Sequence, residues 1–392
     1  MAGAGLAGLR AAEALRRYGF DGSLVMIGAE AGMPYDRPPL SKEILKGTKA
    51  LSDTLLCDRA HLDELDIDLQ FGTRCLDIDI SAKRIQTEAG WIDFDGCVIA
   101  TGAAPRRLRS MGDLDGVHVL RTADDAGLIA SIIDRGPRAV VVGAGFIGAE
   151  VAASLRARGL DVTVVEALPA PLAGILGPDL AQICTQLHHD HGTKLVCGVG
   201  VERLEGSGRV ERVVLTDGRE IEADLVIVGV GATPNIDWLR QSSLDVTDGV
   251  VCDATLHAGH PAIVACGDVA QWPNGLFRKS MRCEHWTNAV EQAIAAARNL
   301  LAGPDASVSF RSAAYFWSEQ YGIRLQSIGR IAGLPSELIA GSVDERRFIM
   351  CFRDSDRLAG AFAMNSPRLL MKAKTLFERE TPWDEAIETL RT

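Results

Sequence analysis

Apolar runs and helical periodicity alternate along the chain, and the clearest alternation is at 138–167, RAVVVGAGFIGAEVAASLRARGLDVTVVEA. Ala139, Val140, Val141 and Val142 are too few for a helix and β-branched enough for a buried strand. A helical pattern then runs to Gly159, and a second apolar run at 162–165 closes on Glu166. Between the first strand and the helix, Gly143, Gly145 and Gly148 fall in G-x-G-x-x-G spacing. That spacing serves a tight turn, a bare backbone for a pyrophosphate, and close packing of helix on strand. The free N–H groups and positive dipole end of the helix face the phosphates. Glu166 stands where a carboxylate accepts hydrogen bonds from ribose hydroxyls. Strand, glycines, helix, strand and acid together predict a dinucleotide site.

The same order opens the chain. Gly3-Ala4-Gly5-Leu6-Ala7-Gly8 is followed by a helical pattern over 9–18, a strand over 23–27, and Gly28-Ala29-Glu30. Only Met1 and Ala2 precede Gly3, so the central strand that should feed this turn is expected to be missing, through a misassigned start or lost residues. Residues 69–95 read as antiparallel hairpins. The run at 94–103 is a buried strand ending in the small-residue loop Thr101-Gly102-Ala103, and Pro105 marks the exit from the first domain. The last strand of the second domain is expected at 224–228, running into Gly229-Val230-Gly231-Ala232-Thr233-Pro234-Asn235. A further strand at 263–266 ends at Gly267-Asp268, where the acid serves a hydroxyl chain or caps a helix. Glu284, His285 and Trp286 open the next helix, and 309–392 reads as strands followed by helices, an α+β module.

The loop 34–42, PYDRPPLSK, is stiffened by three prolines that hold Arg37 and Lys42 toward a phosphate or an aromatic cofactor edge. The plainer alternative is a Pro-rich turn before a helix capped by Ser41. A chain of 392 residues exceeds one core and predicts two or three domains. Its apolar runs are too short and too broken by glycine for a membrane span, and the Ala-rich first residues read as a functional glycine turn rather than a leader. A net charge of −11 argues against nucleic acid. That charge is uneven: 309–392 carries 12 basic and 11 acidic residues, so the first 308 hold the excess. The last segment is therefore the least repulsive to an acidic partner. Nine cysteines without a C-x-x-C pair predict free thiols in a reducing cytoplasm and no zinc site. His188, His189 and His191 are expected to be solvated near a helix end rather than metal ligands.

The motifs GAGLAG, PYDRPPLSK, ATGA-P-R, GVHVLRT-DDA, GAGFIGAE, GVGATPN, GDVA, EHWTNA and YFWS-Q occur in order over essentially the whole chain. Together they resemble the FAD-dependent NADH:ferredoxin reductases of bacterial oxygenase and cytochrome P450 systems, putidaredoxin-reductase-like flavoproteins related to apoptosis-inducing factor. The resemblance implies an α/β fold of two Rossmann-like dinucleotide-binding domains, glutathione-reductase-like with one inserted in the other, plus a C-terminal α+β domain. The implied boundaries are 1–104 and 236–308 for FAD, 105–235 for NADH, and 309–392 for an interface domain.

FAD is then implied at Gly3, Gly5, Ala7 and Gly8, with Glu30 on the adenosine ribose, Arg37 on the pyrophosphate, Lys42 near flavin N5 and Asp268 on the ribityl chain. Cys75, Thr101, Gly102, Arg121, Gly231, Glu284, His285 and Trp286 complete the implied cofactor contacts. NADH is implied at Gly143, Gly145 and Gly148, with Glu166 on its ribose and Glu150 paired with Lys42 beside the nicotinamide. Relatives often carry P-L-x-R after the Glu166 strand; Pro171-Leu172-Ala173-Gly174 departs from it. Thiol-based cousins need a redox cysteine where this chain has Ser41, Lys42 and Glu43.

The implied reaction passes hydride from NADH to the flavin and single electrons to a [2Fe–2S] ferredoxin bound transiently by a monomer or weak dimer. A rubredoxin or nitrite-reductase-type partner is the alternative acceptor, and an NADH-sensing role the alternative function. Trp286 and Trp317 fall in motifs placed around the flavin, although Trp317 reads equally as a core aromatic. Docking cations are expected among Arg278, Lys279, Arg282, Arg368, Lys372 and Lys374. Arg368 and Lys372, at i and i+4, form the best pair.

Overall fold

Ala139–Val142 is a strand because four consecutive apolar residues bury on both faces, and such a run belongs in the middle of a parallel sheet. In the computed structural model, which describes every residue except 109, 110 and 113, this strand sits between Val162–Glu166 and Leu225–Val228. Lys194–Cys197 and Val117–Val119 complete the five-stranded sheet. The strands flanking Ala139–Val142 pair with it in parallel, with Val162 and Leu225 both opposite Ala139. Two further sheets complete this unit. One is an antiparallel three-stranded sheet at 201–222. The other has five antiparallel strands ordered Phe316–Gln320, Ile323–Gly329, Arg357–Met364, Arg347–Asp354, Ser336–Ser342, and helices Pro367–Glu378 and Trp383–Arg391 follow it.

The chain divides into two units by its internal packing. The first comprises 1–36, 55–104 and 233–316, and the second 37–54, 105–232 and 317–392. The first unit has its own parallel sheet. Leu24–Gly28 pairs with Ile67–Phe71, and Cys97–Ile99 pairs with Ile263–Ala265, which pairs antiparallel with His257–His260. Ala2 bridges the two halves in parallel, to Ile27 on one side and Ile99 on the other. Its N–H donates to the Val98 carbonyl at 2.9 Å, and its carbonyl accepts from Ala100 N–H at 2.7 Å. No strand forms ahead of Gly3, as expected, but Ala2 fills its place through these isolated bridges. Ile67–Phe71 is a parallel strand, so the antiparallel hairpins begin only at Cys75–Asp79. Helices Leu6–Arg17 and Trp286–Ala302 pack together through small fully buried residues, among them Ala11, Ala14, Ala293 and Ala297. Among the described residues no helix is long and apolar enough to cross a membrane.

One histidine departs from expectation. His188, on helix Pro178–Asp190, is fully buried rather than solvated. Its Nδ1 lies 2.7 Å from the Tyr321 hydroxyl, which also meets Thr193 Oγ1 at 2.7 Å, and the His191 ring stacks on Tyr321 at 4.4 Å. The apolar face of the helix, from Leu180 to Leu187, carries His188 inward with it. Burial pushes His188 down to about 4 and Tyr321 up to about 12.

Because the folded value of His188 lies below the unfolded one, its neutral form is favoured by the fold. That stability is complete above about pH 6.5 and is lost as pH falls toward 4, roughly 3 kcal/mol in all. Urea unfolding at pH 7 and pH 4 should therefore show a smaller acid loss in His188→Gln than in the unaltered protein. Equal losses in the two proteins exclude His188 as the cause.

Candidate functional site

Within the first unit, Ala2 ends between its neighbours and the chain must turn at once into helix Leu6–Arg17. Gly3 makes that turn at φ +117°, where a Cβ would overlap the Ala100 carbonyl oxygen. At Gly8, in the first turn of the helix, a Cβ would overlap the Gly3 carbonyl, so helix and turn meet backbone to backbone. Gly5 caps the helix with extended backbone and has no atom near its missing Cβ. Two glycines are thus enforced by the protein's own packing, and the third opens onto space in front of free helical N–H groups. That is the shape a pyrophosphate fills. Ala7 packs behind the turn, its Cβ 3.0 Å from the position a Cβ on Gly267 would take.

The cradle is braced from two sides. Thr101 Oγ1 donates to the Asn235 carbonyl at 2.9 Å, and Asn235 Nδ2 returns a bond to the Thr101 carbonyl at 2.9 Å. Asn235 N–H also donates to Gly102, at 2.9 Å. Gly267 N–H donates to buried Gln292 at 2.9 Å, which fixes the short turn carrying Asp268. A strand, Ala270–Asn274, follows that turn, so Asp268 caps no α-helix. Arg282 donates to the Asp268 carbonyl at 3.0 Å and pairs with Glu284, which removes it from the docking cations. Glu30, two residues beyond strand Leu24–Gly28, accepts from the Tyr35 hydroxyl at 2.5 Å. His285 caps the Trp286–Ala302 helix with its ring 5.0 Å from Phe316, and Trp286 Nε1 donates to Asp36 at 2.7 Å. Cys75 is half-buried at the start of its strand, and burial pushes its thiol up to about 12.

The second unit repeats the construction. Gly143 turns at φ +98°, where a Cβ would overlap the Gly229 carbonyl, and a Cβ on Gly148 would overlap the Gly143 carbonyl. Gly145 caps helix Phe146–Ala157 and again faces open space. Glu166 ends the neighbouring strand with both oxygens engaged: Oε2 accepts Ala144 N–H at 2.6 Å and Oε1 accepts Leu168 N–H at 2.8 Å. The acid therefore locks the glycine turn as well as lying beside it. Gly231 sits at φ +105° at the mouth of its loop, with its carbonyl receiving Arg106 N–H at 2.9 Å. In the departing stretch Pro171-Leu172-Ala173-Gly174, Leu172 adopts φ +59° and starts a single helical turn.

Segment 37–54 folds with this unit. Arg37 donates to the Arg121 carbonyl at 2.5 Å, and Ser154 Oγ to the Ser41 carbonyl at 2.7 Å. Lys42 Nζ lies 2.8 Å from Glu150 Oε2, with side-chain exposures of 8% and 3%. Ser41 does not cap the short turn Leu40–Ile44, whose cap position is Pro39; its hydroxyl donates to Glu150 at 2.5 Å. Ser318 donates to the other carboxylate oxygen at 2.7 Å. Sequence reading missed Ser318, although YFWS-Q marked its neighbourhood. Trp317 is half-buried on the same strand. All nine cysteines are free, and those whose shifts have values lie at about 11 to 12 through burial. Thiols so raised are poor nucleophiles. On helix Pro367–Glu378, the Lys372 ammonium is spent on the Thr389 carbonyl and Lys374 pairs with Glu378, leaving Arg368 exposed.

Two cradles of one build, and a buried lysine–glutamate pair without an activated thiol, define an oxidoreductase that handles two dinucleotides. The chain belongs to the pyridine nucleotide-disulphide oxidoreductase family, whose pattern it matches over residues 2–293, and 315–388 match the reductase C-terminal domain. It is 39% identical to rhodocoxin reductase of Rhodococcus erythropolis over 97% of this chain and 89% of the relative. It is 34% identical to the ferredoxin–NAD(+) reductase component of the p-cumate 2,3-dioxygenase system of Pseudomonas putida, over 97% and 93%. Among solved structures, putidaredoxin reductase in its covalent complex with putidaredoxin superposes with a TM-score of 0.94 at 29% identity, over 100% and 94%. The ferredoxin reductase for the CYP199A2 system of Rhodopseudomonas palustris gives 0.90 at 32%, over 100% and 98%.

Proposed function

We propose that the protein is an FAD-dependent NADH:ferredoxin oxidoreductase that delivers electrons to a [2Fe–2S] ferredoxin serving a cytochrome P450 or Rieske oxygenase. The observation that carries this reading is the pair of glycine cradles of one build, each with an acid after its second strand: Glu166 ends its strand and Glu30 lies two residues past Leu24–Gly28. In this reading 1–104 and 236–308 bind FAD, 105–235 bind NADH, and 309–392 present the interface. Bound FAD would supply the chemistry, hydride acceptance from NADH and one-electron release.

The chain's own residues bind and orient. Gly3, Gly5, Ala7 and Gly8 seat the FAD pyrophosphate with Arg37, while Glu30 holds the ribose and Asp268 the ribityl hydroxyls. Cys75, Thr101, Gly102, Glu284, His285 and Trp286 of the first unit, and Arg121 and Gly231 of the second, are assigned the remaining cofactor contacts. Gly143, Gly145 and Gly148 seat NADH, and Lys42, held by Glu150, stands beside the flavin ring. A cytoplasmic location accompanies this reading, supported by nine unpaired thiols. A monomer or weak dimer leaves the interface open to a transient partner.

The test is NADH-driven reduction of a [2Fe–2S] ferredoxin, with rubredoxin as parallel acceptor and ferricyanide as a small control. Bleaching of the flavin by NADH with no turnover of either protein would favour the sensing role. The net charge is −11, and an acidic ferredoxin needs exposed positive side chains such as Lys279 and Arg368. Arg368→Ala should slow ferredoxin reduction roughly two- to fivefold at low salt and flatten its salt dependence, because steering acts on association. Ferricyanide turnover should stay intact; a parallel fall in both activities rules out docking at Arg368.

A further inference from the structure

Glu150 is buried on helix Phe146–Ala157, so both of its carboxylate oxygens must be answered from within the protein. Lys42 and Ser41 both address Oε2, at 2.8 and 2.5 Å. Oε1 is met by the Ser318 hydroxyl at 2.7 Å, its one protein donor among the described residues. An ionised carboxylate only accepts, so the Ser318 proton is committed to Glu150. The lone pairs of Ser318 are then left for the Gln320 side-chain amide, which donates at 3.2 Å. Ser318 and Gln320 are two residues apart on strand Phe316–Gln320, so both point to one face, and both are fully buried. The order is directional: Gln320 to Ser318, Ser318 to Glu150, with Lys42 on the opposite oxygen.

We infer that Ser318, aimed by Gln320, is a positioning residue for Lys42. By fixing the far oxygen it sets the plane of the Glu150 carboxylate, and that plane decides where the near oxygen holds the ammonium. Among the described residues neither Lys42 nor Glu150 is bonded to the C-terminal strand by backbone, and this hydroxyl joins the strand to the pair. A serine that merely filled space would tolerate alanine, which is smaller and apolar. Here alanine leaves a buried carboxylate oxygen without its donor. The inference rests on the reading that places Lys42 beside the flavin.

The experiment uses full-length holoprotein in stopped-flow reduction by NADH, together with the flavin midpoint potential. Ser318→Ala should lower the limiting reduction rate roughly tenfold while the half-saturating NADH concentration stays within about twofold. Ser318→Thr, which keeps the hydroxyl, should restore the rate to within roughly threefold, and Gln320→Met should fall between the two. In a Glu150→Gln background Ser318→Ala should add less than about twofold, since its target is already gone. The midpoint potential should move in the same direction in Ser318→Ala and Glu150→Gln. An unchanged limiting rate, an effect confined to NADH affinity, or a full additional loss in the Glu150→Gln background overturns the inference while leaving the flavin reading intact. Failure of the unaltered protein to retain FAD overturns the reading itself, and the inference with it.

Discussion

Glu150→Gln and Lys42→Met are each expected to slow NADH-dependent flavin reduction by roughly 30- to 300-fold, about 2 to 3.4 kcal/mol at the transition state. The two groups lie 2.8 Å apart with almost no exposure, so removing either strands the other. An uncompensated buried charge costs about 3–5 kcal/mol, more than the pair itself contributes against an apolar substitute. Glu150→Gln leaves the ammonium facing the Ser41 hydroxyl, 3.4 Å away, with no charged partner among its described contacts. Lys42→Met leaves the carboxylate with two hydroxyl donors and no cation. The double variant removes both charges, so its loss should fall short of the product of the single losses by roughly 1–3 kcal/mol of coupling. Retention of FAD should change less than the reduction rate, because the glycine cradle is built independently of the pair. Additive losses in the double variant, or single variants reduced at the normal rate, would falsify the placement of this pair at the reacting edge.

The parts of this protein legible in its sequence are those decided locally. The 138–167 strand–helix–strand unit was readable because its apolar runs, glycines and terminal acid lie within thirty residues, each constraining the next. The first cradle was readable by the same register, but the bridges that stand in for its central strand were not. Ala2 makes bridges on both sides that depend on Ile27 and Ile99, and no window of sequence brings those together. Residues 69–71 of strand Ile67–Phe71 read as hairpin because a half-exposed parallel edge strand has the same alternation as an antiparallel one.

Buried polar contacts were the least legible. Ser318 lies 168 positions from Glu150. Polar side chains are solvated by default, and only tertiary packing makes their partners obligatory. His188 is the same case: its helix face decides its burial, and Tyr321 supplies the hydrogen bond from 133 residues away. The docking cations narrowed for the opposite reason, because Arg282 is paired with Glu284 and the Lys372 ammonium is turned onto the Thr389 carbonyl.

Glu166 should make the protein prefer NADH over NADPH by roughly 10²- to 10³-fold in kcat/KM. The carboxylate is held in place by Ala144 and Leu168 N–H groups, so it cannot swing away from a ribose seated on the Gly143 turn. Two unit charges 4 Å apart repel by about 4 kcal/mol at an effective dielectric of 20, and the half-exposed setting trims that by screening. What survives, about 3 kcal/mol, corresponds to the lower part of the stated range. The same two hydrogen bonds complicate the obvious variant. Glu166→Ala relieves the repulsion but also frees the Ala144 N–H at the cradle, so NADH binding should weaken by roughly 1–2 kcal/mol while NADPH gains. Glu166→Gln separates the two effects. Its single oxygen keeps one of the amide bonds, so most of the NADH affinity should remain while discrimination drops by at least about tenfold. Steady-state kcat/KM for both nucleotides, measured at two salt concentrations, reads this directly, since the charge term alone weakens with salt. Equal kcat/KM for NADH and NADPH in the unaltered protein would show that Glu166 serves the turn and not the choice of nucleotide.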